Sequence, residues 1–128
     1  MRISVPGDSD VAKVLRGCLA QAGYLVTAVN PAYTVLVEDG SGPHIVIDGI
    51  NCRFKDAVQD SIAELTDTRI EYHRAGGVQS DRAIHVVTAP GEDNADAVER
   101  GLLRAILIVT GHGARKTALN KLLFWRKA

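Results

Sequence analysis

Ile3-Ser4-Val5-Pro6-Gly7-Asp8-Ser9-Asp10-Val11-Ala12-Lys13-Val14-Leu15 changes its hydrophobic period within a few residues. Ile3 to Val5 is a short β-rich run, Pro6 to Asp10 is a turn, and from Val11 onward the apolar positions are Val11, Val14, Leu15, Cys18, Leu19 and Ala22. That 3-4-3 spacing belongs to an amphipathic helix, and Gly23 closes it. Leu25 to Val29 follows as a second β-rich run, stopped by Asn30-Pro31 because proline cannot continue a ladder. Strand, helix and strand in this order make a βαβ unit, so the sheet is expected to begin parallel.

Further along, Tyr33 to Glu38 and His44 to Asp48 are two β-branched runs joined by Asp39-Gly40-Ser41-Gly42-Pro43, a linker whose turn chemistry predicts a hairpin. Phe54, Ala57, Val58, Ser61, Ile62 and Leu65 mark a second helix, with Asn51 suited to cap it. Arg69 to His73 and Ala83 to Ala89 read as strands on either side of a polar, glycine-containing loop, Arg74 to Arg82. Glu92, Asp93 and Asp96 load the start of a third helix with negative charge, which its dipole favours. Ile106-Leu107-Ile108 reads equally as the end of that helix or as a last strand, and Ala114 to Trp125 reads as a final helix. The element order predicts one domain over residues 1–128, a single three-layer Rossmann-like α/β fold with a mainly parallel sheet, an inserted β-hairpin and a C-terminal helix.

With 128 residues, 46% apolar side chains, and fifteen basic against fifteen acidic residues, the chain matches one domain with one core and has no global field to attract nucleic acid. The longest apolar run, Ala105 to Val109, is far shorter than the roughly 20 residues that span a bilayer. A cytoplasmic protein with no membrane span is the expectation. Cys18 and Cys52 are too few and too scattered for a disulfide framework or a zinc site, and no histidine pair has metal-ligand spacing. The charge is unevenly spread. Residues 112–128 hold five basic side chains and no acid, leaving ten basic and fifteen acidic residues in the rest. That segment is expected to dock on the chain's own acidic surface or on a second copy, and a homodimer is the expected assembly.

In open α/β sheets ligands collect beyond the carboxyl ends of the strands, where the strand order reverses. That rule selects Gly7, Asp8 and Ser9 after the first strand, Asn30 after the second, Asp48 and Asn51 after the fourth, and Thr88 and Gly91 after a later one. Pro6-Gly7-Asp8-Ser9-Asp10-Val11-Ala12 resembles the phosphate-binding turn of the NAD(P)-binding Rossmann family, with Gly7 at the first glycine position, Ser9 at the second and Ala12 at the third. The resemblance implies a nucleotide or dinucleotide ligand at a helix N-terminus. Asp8 and Asp10 place carboxylates near the implied pyrophosphate, and both also serve as ordinary first-turn residues.

A different resemblance lies in His44-Ile45-Val46-Ile47-Asp48-Gly49-Ile50-Asn51, which looks like the opening strand of PIN and NYN ribonucleases. It implies Asp48 as a first magnesium ligand and Asp96, in Asn94-Ala95-Asp96-Ala97, as a second. The family's next acid has no counterpart at Gly111-His112-Gly113. The same Asp48 and Asn51 also suit a turn and a helix cap. With no acid-base pair or activated nucleophile in the sequence, a non-catalytic or regulatory small-ligand module for a nucleotide is the leading expectation. A magnesium-dependent ribonuclease and an interaction domain without a small ligand are the alternatives.

Overall fold

A computed structural model describes residues 1–74 and 80–111. The described chain runs β1 (Arg2–Ser4), α1 (Asp10–Gln21), β2 (Leu25–Val26), β3 (Tyr33–Asp39), β4 (Ile45–Asp48), α2 (Arg53–Ala63), β5 (Ile70–His73), β6 (Ala83–Thr88) and α3 (Glu92–Val109). The strands form one mixed sheet of six, in the order β2-β1-β3-β6-β4-β5. β2, β1, β3 and β6 are parallel to one another, while β4 pairs antiparallel with β6 and carries β5 parallel beside it. The α/β class and the parallel start therefore agree with the sequence.

The expected hairpin is corrected. β3 and β4 are not neighbours; β6 lies between them, pairing with β3 over six residues and with β4 over three. The glycine-rich link after Asp39 therefore steps across the end of β6 instead of turning tightly. Gly40 donates its N–H to Thr88 O at 2.8 Å, and a Cβ there would stand 2.5 Å from Val87 Cγ1 and 2.8 Å from Thr88 O. Glycine is needed for close passage over another strand. A hairpin and this bridge ask for the same small residues, and only β6 distinguishes them.

Two boundaries also change. β2 covers only Leu25–Val26, because Ala32 N–H is already bonded to Arg2 O at 2.8 Å as the chain returns toward β3. The residue preceding α2 is Cys52, extended at φ −155° and ψ 174°, so Asn51 falls one position too early to cap the helix. α1 instead matches its sequence signals. Ser9 Oγ accepts the Ala12 N–H at 3.2 Å, and Gly23 takes φ 94° just beyond the C-cap. Ile106-Leu107-Ile108 belongs to α3, where Ala105 and Ile106 are buried and Ile108 faces out at helical period. The expected final helix, Ala114 to Trp125, lies outside the described residues.

α3 packs against both α1 and α2, so all three described helices share one face of the sheet. Alternation in the strands points Val35, Val37, Ile45, Ile47, Ile84 and Val86 into that layer, where they meet Leu15, Leu19, Phe54, Ile62, Leu102 and Ile106. Among the described residues this is a two-layer arrangement, and the other face carries no helix. α2 and α3 approach closely at Gly101 of α3, where a Cβ would come within 2.5 Å of Ile62 Cγ1 and 3.0 Å of the Ile62 backbone N and Cα. No described helix is long and apolar enough to cross a membrane.

Two helical glycines therefore have opposite expected effects. Gly17 lies on the exposed face of α1 with nothing within 4 Å of a Cβ, so Gly17→Ala stabilises by about 0.5–1 kcal/mol through helix propensity. Gly101→Ala gains the same propensity but forces α2 and α3 apart, and the overpacking term of about 1–3 kcal/mol outweighs it. Urea unfolding midpoints of the two variants should move in opposite directions.

Candidate functional site

Reversal of β4 and β5 separates the residues that the sequence grouped at strand ends. Gly7, Asp8, Ser9, Thr88 and Gly91 lie at the carboxyl end of β1, β3 and β6. Asp48 ends β4 and Asn51 follows it, and because β4 runs the other way both lie at the opposite end. Asn30 belongs to neither group. It has φ 48° in the link from β2 to β3, next to Val29, whose carbonyl accepts a 3.3 Å hydrogen bond from Arg2 at the start of β1. Asp48 points to the sheet face away from the helices, in register with His85, whereas Asp96 is on α3 at the other end and in the other layer. These two carboxylates are not brought together.

The turn after β1 is folded onto its own strands. Ser9 Oγ donates to Val37 O of β3 at 2.9 Å while accepting from Ala12 N–H, so both functions of the hydroxyl are occupied. The Arg16 guanidinium donates to Val5 O and Gly7 O at 2.8 and 2.9 Å. Gly7 has φ 107°, and a Cβ there would touch Val37 O at 3.4 Å. Both of these side chains have a structural use: Ser9 joins α1 to β3, and Arg16 closes the turn.

A groove of about 780 Å³ opens at the same end of the sheet, between residues 65–68 and the start of α3. One wall is Leu65, Thr66, Asp67 and Thr68; the other is Pro90 through Asn94 with Asp96. The walls are joined by Asn94, whose Oδ1 accepts from Thr68 Oγ1 at 2.6 Å and Thr66 Oγ1 at 3.2 Å, and whose Nδ2 donates to Pro90 O at 2.8 Å. Gly91, at φ 114°, precedes α3 without a side-chain cap. Asp67, Glu92, Asp93 and Asp96 make the lining acidic, and Arg100 reaches Asp96 at 3.4 Å. Of the residues selected by the strand-end rule only Gly91 lines the groove, and Asp96, singled out by the ribonuclease resemblance, lines it too; Thr88, on β6, is 4% exposed.

Thr66, Asp67, Thr68 and Asn94 went unselected as ligand-binding residues. Their signal was local, a polar Thr-Asp-Thr break after an amphipathic helix, but its meaning depends on Asn94, 26 residues further on. A smaller cavity of about 180 Å³ at the opposite end is lined by Tyr33, Cys52, Arg53, Phe54, Asp81, Arg82 and Val109. There Arg82 lies 5.4 Å from the Tyr33 ring centroid, and Cys52 Sγ is 3.7 Å from Asp81 O. Among the described residues no three His, Cys, Asp or Glu side chains are placed to hold a metal ion.

Asn94→Ala removes the acceptor shared by two threonines and is expected to cost about 1–3 kcal/mol. Asn94→Asp keeps that acceptor but loses the donor to Pro90 O and adds a charge beside Glu92 and Asp93, so in denaturant melts it should recover only part of the loss. Thr88 Oγ1 is buried without a hydrogen-bond partner among the described residues. Thr88→Val, which removes a desolvated hydroxyl at nearly constant shape, should therefore leave the melting temperature unchanged or raise it.

The chain matches no family model and no curated protein sequence.

Proposed function

We propose that the chain is a small binding module without catalytic chemistry of its own, and that its ligand enters the groove between residues 65–68 and the start of α3. Shape supports this reading, since about 780 Å³ falls within the roughly 300–1,000 Å³ usual for small-molecule sites. So does the convergence of Thr66, Thr68, Asn94 and the uncapped start of α3 on one space. The groove's hydroxyls are bonded to Asn94, an amide that takes up no proton, so no nucleophile is paired there with a base.

Charge decides the class of ligand. The N-terminus of α3 offers an anion about half a unit charge, worth roughly 0.3–1 kcal/mol at an exposed site. Against this stand the carboxylates of Asp67, Glu92 and Asp93, with Asp96 already paired to Arg100. Even one carboxylate about 5 Å from a phosphate repels it by roughly 3 kcal/mol at an effective dielectric constant near 20. Repulsion wins, and the groove suits a small molecule carrying ammonium or guanidinium groups. Acidity of the groove is the single observation that carries this reading. The nucleotide reading is favoured by the uncapped amides of α3, and in this groove it requires a divalent cation to offset the carboxylates.

Calorimetric titration with spermidine, with ATP alone, and with ATP plus Mg²⁺ separates the two. Spermidine is expected to bind, and the double variant Asp67→Asn, Asp93→Asn to weaken it by about tenfold or more, the loss of roughly 1.4 kcal/mol. Magnesium-free ATP binding that is indifferent to this double variant overturns the cationic reading. Absence of heat from all three overturns the assignment of the groove.

A further inference from the structure

The sheet face turned away from α1, α2 and α3 has an apolar centre and an acidic border. Leu36, His85, Asp48 and His73 lie in one row across β3, β6, β4 and β5, and Glu38, Val87, Val46 and Glu71 form the next. Leu36, Val46 and Val87 are half-buried at the centre. The acids are interleaved with histidines: His85 Nε2 is 3.3 Å from Glu38, and His44 and His73 are 3.7 and 3.6 Å from the two oxygens of Glu71. The carboxylates of Glu38, Asp48 and Glu71 give the face its acidic border. Sheets with this much parallel pairing are ordinarily covered by helices on both sides, yet all three described helices pack on the opposite face.

The described residues contain ten basic and fifteen acidic side chains. Residues 112–128 carry the compensating five basic ones, together with Leu119, Leu122, Leu123, Phe124 and Trp125. α3 starts at the carboxyl end of β6 and returns along the sheet. Its C-cap residue Thr110 reaches Tyr24, just before β2, with 2.7 Å between the hydroxyl oxygens. The described chain thus ends at Gly111, in the helix layer at the amino end of β3 and β6, with seventeen residues still to follow. A strand of seven residues is roughly 23 Å long and rounding the end of the sheet from the helix layer takes roughly 10 Å more, a path within the reach of about 55 Å that seventeen residues have at most.

We propose that this sheet face is the docking surface for the chain's own residues 112–128, with Leu36, Val46 and Val87 meeting its apolar side chains and Glu38, Asp48 and Glu71 meeting its basic ones. The occupant follows from complementary charge, a matching apolar content, and a point of departure from which the face is within reach round the end of the sheet. A second copy of the chain offers the same segment, but only at a concentration set by the solution. The attached segment is held at an effective concentration in the millimolar range.

Trp125 is the only tryptophan in the chain, so its fluorescence reports on this contact in the full-length protein. The expected result is a blue-shifted emission, with acrylamide quenching severalfold weaker than in the unfolded chain and unchanged across a dilution series. Val46→Lys with Val87→Lys should restore the quenching of the unfolded chain, while Val29→Lys, in an exposed loop, should not. Because the first pair risks the fold, Glu38→Lys with Glu71→Lys supplies a surface test, expected to increase quenching while circular dichroism remains native. The proposal is overturned if Trp125 is equally quenched in native and unfolded protein, if shielding is lost on dilution with dissociation of a dimer, or if the glutamate variants leave quenching unchanged.

Discussion

Antiparallel pairing of β4 with β6 is the constraint on which the rest of the architecture depends. Its register sets Ile47 against Val86 and Asp48 against His85, and thereby turns β4 and β5 against the direction of the first three strands. Had β4 joined parallel, residues 65–68, which lead into β5, would lie at the opposite end of the sheet from Gly91. With β4 reversed, the start of β5 and the end of β6 share one end, and α3 begins beside both. The groove is therefore a product of strand direction, and Asn94 joins two walls that the reversal has brought together. The same reversal carries Asp48 and Asn51 away from Gly7 and Ser9, so a rule written for parallel strand ends applies to only part of this sheet.

Local signals were legible where the deciding atoms are close in sequence. Ser9 caps α1 by accepting from an N–H three residues ahead, and Gly23 takes its positive φ within two residues of the helix end. Both effects are short-range and would appear in nearly any tertiary setting. The link from Asp39 to Pro43 is different, since hairpins and bridges across another strand both need glycine and a break in pairing. What selects the bridge is the insertion of Ala83–Thr88, some forty residues later. Ser9 also shows where local reading stops: its cap follows from the sequence, but its bond to Val37 O, which closes the turn onto β3, depends on tertiary placement.

The acids near α3 have a structural reason to be there that is independent of any ligand. Glu92 and Asp93 occupy the first turn of α3, where each contributes about 0.3–1 kcal/mol by interaction with the helix dipole. Their presence is therefore weak evidence for binding when taken alone. Asp67 is on the other wall, outside any helix, and gains nothing from that dipole. Its position opposite Glu92 and Asp93 concentrates negative charge across an open space, where partial exposure to water keeps the mutual repulsion tolerable. A cation entering that space relieves a repulsion the fold already contains.

On the other sheet face, charge attraction alone is a poor means of holding a segment in place. At physiological ionic strength it is screened beyond roughly 8 Å, and single exposed pairs are worth about 0–1 kcal/mol. The row of carboxylates and histidines would steer a basic segment toward the sheet without fixing its position. Position requires burial, and Leu36, Val46 and Val87 supply adjacent apolar surface on three neighbouring strands. At about 25 cal/mol per Å², covering a few such side chains contributes several kcal/mol that salt does not remove. An apolar centre framed by acids thus separates the two tasks, with charge governing approach and burial governing residence.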